Sequence, residues 1–337
     1  MNTPDTSVPV EYKDRRNALL VVGILEIVMG FGAWLLVALM LFGAAMAARQ
    51  GGASMASTIP GCLVYGLGGA AFMVLGIGSI RARRWGRALW IVLSAGWMLV
   101  GVLSVVGMLV WMPRMMAGAI AAAPQGQGGP PPGFMQIVTV ITTAVVAVFM
   151  IALPLAIFLF YRSPHVRATC LAAQPEPDWT DRCPLPVLGT AIWLALVAVV
   201  LVGMPFAYGG LFPLFGVFAR GVPGVLGWLV LAAIHAVAAF GLYRLRAWGW
   251  WLALAVVLVS GASAVITYSV ADVGELYRAM GLQGPQMELM EKMGMTKPGY
   301  MIGTTLGAMV PLLVLLLWTR VYLGKEQAPA ESAPAAL

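Results

Sequence analysis

Eight long runs of apolar residues divide this chain, and they limit its fold more than any other feature. An α-helix needs about 20 residues to cross the ~30 Å hydrocarbon core of a bilayer, and each run is long enough to do so. Because the runs are continuous rather than alternating, they predict helices and not the strands of a membrane barrel. The predicted spans are 18–43, 60–80, 88–112, 136–161, 185–205, 223–243, 248–270 and 302–323.

The composition indicates that lipid, not water, surrounds most of the chain. Of 337 residues, 61% are hydrophobic and only 10% are charged, whereas soluble domains carry about 25% charged residues. We therefore expect an all-α polytopic integral membrane protein whose main partner is the lipid bilayer. The net charge of +7 does not indicate nucleic acid, because the basic residues lie in short clusters between the apolar runs, as membrane topology requires.

Lysine and arginine are distributed unevenly between the two sides of the predicted spans. With the N-terminus inside, the inner loops hold most of them, and this bias predicts that both termini are cytoplasmic. We expect the protein in the plasma (inner) membrane of a bacterium. Segment 206–222 is apolar but contains several glycines and a proline, so we expect it to lie in the interface or to form a re-entrant turn.

Two short stretches of the sequence are nearly the same. SIRARRWGRAL occupies Ser79–Leu89, and LYRLRAWGWWL occupies Leu242–Leu252. Each is predicted to form the tight cytoplasmic turn between the second and third helix of a four-helix unit. The eight spans are then a tandem duplication of that unit. Because four is an even number, both copies have the same orientation, as in the parallel repeats of some transporters.

The matched residues of the two turns suit a membrane surface. Arginine can meet anionic headgroups, tryptophan favours the interface, and glycine allows close packing. We expect these residues to anchor the topology rather than to bind a partner. The turn resembles those of many bacterial four-pass membrane proteins, a resemblance that implies no function. The anchors are Arg81, Arg83, Trp85 and Gly86 in the first turn, and Arg244, Arg246, Trp248 and Gly249 in the second.

The duplication divides the chain into five parts. Two four-helix repeats are joined by a polar, proline-rich cytoplasmic linker, with a cytoplasmic tail at each end, of which the C-terminal one is expected to be disordered. The parts are the N-terminal tail 1–17, the first repeat 18–161, the linker 162–184, the second repeat 185–323 and the C-terminal tail 324–337.

Two ionisable residues lie inside predicted spans, Glu26 in the first repeat and His235 in the second. Helix rise places them ~15 and ~14 Å from the nearest cytoplasmic arginines, Arg16 and Arg244, and so near mid-membrane. Intramembrane ionisable groups are functional candidates. One hypothesis is a Glu26–His235 pair that relays protons or cations. The alternative is a neutral Glu26 bonded to a nearby hydroxyl or carbonyl, with His235 in an ordinary hydrogen bond between helices.

A methionine-rich stretch, MELMEKMGM, lies in a loop predicted to face outward. Thioethers bind Cu(I), and the spacing resembles the methionine-rich motifs of copper-handling proteins, which implies Met287, Met290, Met293 and Met295 as ligands. The alternative, which the spacing favours, is an amphipathic helix that lies on the membrane or caps the bundle.

The sequence contains no zinc-protease, nucleophile-elbow or phosphate-loop motif. We therefore expect no enzymatic activity and no cofactor. The function that we expect is that of a non-enzymatic helical scaffold that binds lipid or membrane-protein partners. The alternatives are a small-solute or ion transporter or channel that uses Glu26 and His235, and, less favoured, Cu(I) handling. The sequence does not indicate the oligomeric state.

Overall fold

The structure is a computed structural model that describes residues 12–49, 58–122, 132–280, 282 and 284–323, apart from the side chains of 60, 114–122, 132, 135, 285 and 286. The predicted tail 324–337 and residues 1–11 of the predicted N-terminal tail lie outside these residues. Within them the protein is an all-α polytopic membrane protein, and eight of its helices are long and apolar enough to cross a bilayer.

The helices follow the apolar runs closely. The first half contains α1 (Arg16–Arg49), α2 (Ile59–Ile80), α3 (Arg84–Ala122), and a fourth span built from α4 (Pro132–Ala147), a π-helical segment (Val148–Ala152) and α5 (Leu153–Arg162). A short helix, α6 (Pro164–Ala173), and a 3₁₀ turn (Trp179–Arg182) follow in the linker. The second half contains α7 (Leu185–Ala207), strands β1 (Phe212–Leu214) and β2 (Val217–Ala219), α8 (Val222–Tyr243), α9 (Ala247–Val270), the short helices α10 (Val273–Ala279) and α11 (Pro285–Lys292), α12 (Pro298–Thr319) and a 3₁₀ turn (Arg320–Tyr322).

The π-helical segment comes directly before Pro154, the second residue of α5. Proline has no N–H, so the carbonyl of Met150, four residues earlier, loses its usual helical partner. Gly101 of α3 packs against this carbonyl, and a Cβ at Gly101 would lie 2.1 Å from Met150 O. Pro311, by contrast, lies inside a continuous α12. Only the first of the two fourth spans is therefore interrupted at its proline.

Glycines bring α1 and α2 into backbone contact. A Cβ at Gly23 would lie 2.7 Å from Gly76 O, and one at Gly30 would lie 2.7 Å from Gly69 O. Such small-residue contacts replace the hydrophobic effect, which does not drive helices together in lipid. Glu26 lies between the two glycines of α1 and shares their face, so this packing turns its side chain toward α2.

Segment 206–222 forms a β-hairpin on α9. The turn residues Phe215 and Gly216 both have positive φ, 40° and 102°, as a two-residue hairpin turn requires. Phe215 N donates to Ser263 Oγ and Gly216 N donates to Thr267 Oγ1, each at 3.0 Å. Two hydroxyls of α9 therefore pair the backbone N–H groups that the tight turn leaves free.

Each half has its own buried core, and α7 joins the two. The first core contains residues of α1, α2, α3, α5 and α6, and the second contains residues of α7, α8, α9 and α12. α7 packs against α2 and α3 of the first half. At Gly96 of α3 a Cβ would lie 2.1 Å from the Trp193 ring of α7, so the absence of a side chain there lets the ring lie flat on the helix.

Candidate functional site

The two matching turns have the same backbone conformation. Ala82 and Leu245 occupy the same place in their turns and both have positive φ, 48° and 55°. Ala82 N donates to Ser79 O at 2.9 Å and Arg83 N to Gly78 O at 2.8 Å. The second turn repeats this Schellman motif with bonds from Leu245 N to Leu242 O at 2.8 Å and from Arg246 N to Gly241 O at 3.0 Å.

The predicted anchor glycines pack the turns but do not reverse the chain. A Cβ at Gly86 would lie 3.1 Å from the backbone of Gly78, and one at Gly249 would lie 2.4 Å from that of Gly241. The left-handed residues are alanine and leucine. The predicted arginine anchors Arg81, Arg83, Arg244 and Arg246 and Trp248 are exposed, and Trp85 is half-buried. The repeated geometry supports the predicted duplication, which stays a prediction for the four-helix units as a whole.

The linker contacts both turns and thereby defines one end of the bundle, which we call the turn face. Arg84 forms an ion pair with Asp181 at 3.2 Å. Tyr243 donates to the carbonyl of Trp179 at 3.2 Å. Residues 163–184 are therefore a folded cap over the two halves and not a loose connection.

Glu26 is buried in a small polar cluster of the first half. Its side chain is 3% exposed. Tyr161 OH donates to Glu26 Oε1 at 2.7 Å, and Ser79 Oγ lies 2.8 Å from Glu26 Oε2. Ser79 Oγ and Tyr161 OH are themselves only 2.6 Å apart. The three side chains form a triangle in which every edge has hydrogen-bond length.

Counting hydrogens favours a neutral carboxyl in this triangle. Three hydrogen bonds require three hydrogens, and the two hydroxyls supply only two. A neutral carboxyl would supply the third, with Glu26 donating to Ser79, Ser79 to Tyr161, and Tyr161 to Glu26. A carboxylate would leave one of the three oxygen pairs, which are 2.6–2.8 Å apart, without a hydrogen, and Ser79 Oγ also lies 3.0 Å from the carbonyl oxygen of Leu75. The described residues include no cation in an ion pair with Glu26, which agrees with a neutral group.

Trp90 completes the cluster on one side. Its ring stacks on Tyr161 with a centroid separation of 5.9 Å and an interplanar angle of 13°. Its indole Nε1 is buried near Glu26 but outside hydrogen-bonding geometry. The stacking holds the phenol against the carboxyl and closes the cluster to water.

The partners of Glu26 lie near the turn face. Ser79 lies two residues before Arg81, and Tyr161 lies directly before Arg162. The mid-membrane depth of Glu26 stays a prediction, and the start of α1 packs on α6. Arg15 N donates to Thr169 Oγ1 at 3.0 Å.

His235 is apart from this cluster. It lies near the middle of α8 and is buried, 5% exposed. Its Nδ1 lies 2.8 Å from the carbonyl oxygen of Leu231, one turn earlier in the same helix. The hydrogen bond that His235 makes among the described residues therefore lies within α8, and a bond between helices stays a prediction. Glu26 and His235 form neither a hydrogen bond nor an ion pair with each other, and the relay hypothesis has no geometric support.

Among its described residues, the second half has no equivalent of the Glu26 cluster. The matching turns align Ser79 with Leu242 and Trp90 with Ala253, and both counterparts are fully buried apolar residues. Sequence reasoning missed Ser79 and Tyr161, because a single serine or tyrosine near a span end is common. One sequence signal could have identified Ser79: its aligned residue in the second turn, Leu242, has no hydroxyl.

A long crevice of about 1550 Å³ opens between the two halves. α7 packs against both α3 and α12, whereas α3 and α12 meet through the rings of Trp111 and Tyr300, whose centroids are 5.0 Å apart. From Arg87 to Trp111 the α3 wall is about 36 Å long at 1.5 Å per residue, which exceeds the ~30 Å hydrocarbon core. Its walls are predominantly apolar.

Glu26 faces neither this crevice nor a smaller one of about 830 Å³ between α7 and α8, since none of Glu26, Ser79 and Tyr161 lines either. The hydrogen-bonded ring is thus packed into the first half. It holds α1, α2 and α5 together.

The methionine-rich stretch contains α11, which contacts α3 and α10. The four methionines are half-buried, and Glu288, Glu291 and Lys292 are exposed. α11 carries Met287 and Met290, whereas Met293 and Met295 follow its last residue, and the amphipathic cap stays a prediction. Copper binding by Met287, Met290, Met293 and Met295 stays a prediction. Within the described part of the chain, no group of three His, Cys, Asp or Glu side chains could hold a metal ion.

Comparison with known proteins gives no match. No family model matches the sequence, and neither a curated protein nor a solved structure is significantly similar to it.

Proposed function

We propose that this protein is a non-enzymatic helical scaffold whose intramembrane crevice binds lipid or a membrane partner. The observation that carries the proposal is the crevice itself. It runs the thickness of a hydrocarbon core, opens to the side between the two halves, and is lined by apolar side chains. An apolar surface of this size gains nothing from water, and a bound lipid or helix would fill it.

Transport is less well supported. Ion-coupled transport needs polar groups that meet water from either side, whereas Glu26 is enclosed by Ser79, Tyr161 and Trp90 at the turn face. Both termini, on this proposal, lie in the cytoplasm of a bacterial cell, and the arginine-rich turns anchor that orientation in the plasma membrane.

A crevice-filling substitution tests the scaffold function. Gly107 lines the crevice and has open space around its Cα, as does Gly43 on α1, away from the crevice. Gly107→Phe is expected to lower the number of lipids that remain bound in native mass spectrometry after detergent washing. Gly43→Phe is the matched control and should retain the native number.

Equal lipid retention by both variants and the native protein would remove the support for a binding crevice. A flux assay in proteoliposomes addresses the transport alternative. Specific ion or solute flux that Glu26→Gln abolishes would replace the scaffold proposal with that alternative.

A further inference from the structure

One end of the crevice is strongly basic. Arg87, Arg162 and Arg167 line it at the turn face. Among its described lining residues there is no Asp or Glu. None of the three arginines forms an ion pair in the described ranges of the chain. Three cations therefore converge on one mouth, and Asp181, the carboxylate that acts on Arg87 through space, is paired with Arg84.

The arginines are positioned by the surrounding helices. Arg87 Nε donates to the carbonyl oxygen of Tyr161 at 2.9 Å, which fixes its guanidinium between α3 and α5. Arg162 lies over the ring of Phe158, with Cζ 5.8 Å from the centroid. Arg167 projects from α6 and is exposed. The hydrogen-bond donors that remain on these guanidiniums suit an anion with several oxygens.

We propose that the crevice is a binding site for one anionic phospholipid, with its phosphate at Arg87, Arg162 and Arg167 and its acyl chains along α3 and α12. This inference rests on the proposed function and names its ligand. Basic pockets between transmembrane helices are suited to anionic headgroups, and here the basic mouth leads directly into an apolar channel. A phospholipid has the complementary arrangement, with an anionic headgroup at one end and hydrocarbon chains beyond it.

Other occupants fit less well. A transmembrane helix would fill the apolar walls but would leave three arginines uncompensated unless it brought acidic residues to that level. A soluble phosphate would engage the arginines but would leave the apolar walls uncovered. The far end of the crevice, near Trp111 and Tyr300, has no charged lining residue among those described, so the headgroup has one place to lie.

The test compares two lipids with the same acyl chains, phosphatidylglycerol and phosphatidylcholine. Full-length protein in detergent is titrated with each, and bound lipid is counted by native mass spectrometry. The native protein is expected to prefer phosphatidylglycerol. A basic residue near an anionic headgroup contributes about fivefold in binding, so R162Q/R167Q is expected to lower this preference by up to about 25-fold.

Matched variants separate this site from general surface charge. R244Q/R246Q removes two exposed arginines from the second turn, outside the crevice, and should keep the native preference. The single variant R167Q, on the surface of α6, should lose about fivefold, and it provides the same test if the double variant is poorly folded. Glycerol 3-phosphate, the headgroup without chains, should not displace the lipid.

Each of the following results would overturn the proposed lipid site. Equal binding of the two lipids by the native protein overturns the anionic site and leaves the scaffold proposal intact, whereas absence of any bound lipid overturns both. An equal loss in R162Q/R167Q and R244Q/R246Q shows only general surface charge and overturns the site. Displacement by glycerol 3-phosphate identifies a soluble phosphate site and overturns the lipid assignment.

Discussion

Replacing Tyr161 by phenylalanine tests the hydrogen-bonded ring around Glu26. The change removes two of the three bonds, the one to Glu26 Oε1 at 2.7 Å and the one with Ser79 Oγ at 2.6 Å. Side-chain hydrogen bonds in membrane proteins contribute about 0.6 kcal/mol on average and about 1.7 kcal/mol at most. The expected loss in unfolding free energy is therefore roughly 1–3 kcal/mol.

Glu26→Gln is expected to cost less, because the carboxamide can keep the ring closed. Its Nε2 donates to Ser79, Ser79 donates to Tyr161, and Tyr161 donates to its Oε1. One amide hydrogen is left unpaired, which costs about 1 kcal/mol. If Glu26 carries its proton in the fold, unfolding above about pH 5 releases that proton, so the stability of the native protein relative to Glu26→Gln should fall steadily as the pH rises from about 5 to about 8.

Unfolding by SDS in mixed micelles, followed by circular dichroism, measures these free energies. Tyr243→Phe is the control, since Tyr243 makes one exposed hydrogen bond of 3.2 Å to a backbone carbonyl. The reasoning is refuted if Tyr161→Phe costs no more than this control. It is also refuted if the stability of the native protein relative to Glu26→Gln stays constant over this pH range, because a Glu26 that is already a carboxylate in the fold releases no proton on unfolding.

Three further predictions concern packing, thiols and topology. Gly96→Ala places a Cβ against the Trp193 ring and should lower stability by roughly 1–3 kcal/mol in thermal unfolding, whereas Gly107→Ala, which points into open space, should not. Burial raises the pKa of the Cys170 and Cys183 thiols to about 11 from the 9.0 of a free thiol, so maleimide at neutral pH should label them only after unfolding. Their contribution to stability is complete below pH 9 and is lost as the pH rises toward 11. Tags fused to the two termini should be accessible from the same side of the membrane, and accessibility from opposite sides would overturn the predicted orientation.

The helices and the turn between them were predictable because their signals are local. Length and apolar continuity determine whether a segment can span a bilayer, and those signals located all eight spans, although α1 and α3 continue six and ten residues beyond the predicted ends. The repeated arginine and tryptophan pattern likewise identified two turns of one geometry. These features depend on residues that are close together in the sequence and on the surrounding lipid.

The Glu26 site could be predicted only in part. A carboxylate within a predicted span indicated that some partner must exist. Ser79 and Tyr161, however, belong to helices that are distant in sequence, and the periodicity of a sequence does not indicate which helices pack against each other. A count of residues from Arg16 likewise cannot show that Ser79 and Tyr161, near the turn face, are the partners, because the packing of α6 on the start of α1 is not visible in the sequence.

The hairpin and the basic mouth of the crevice were beyond sequence reasoning. The glycines and proline of residues 206–222 indicated only that a helix was disfavoured. The hairpin itself was not predictable from that segment, because the hydroxyls that hold it, Ser263 and Thr267, belong to α9. Arg87, Arg162 and Arg167 looked like parts of separate loops in a count of basic residues. Their convergence depends on how α3, α5 and α6 pack.

The cap formed by the linker limits how the two halves can move. Arg84 ties α3 to it, and Tyr243 ties the second half to it, so the crevice walls are joined at the turn face. Near the other end the rings of Trp111 and Tyr300 are in contact, and α11 also packs against α3. A widening at that end that admits a ligand would therefore separate those two rings and shift α11 on α3, while the cap continues to join the walls beside the arginine-lined mouth.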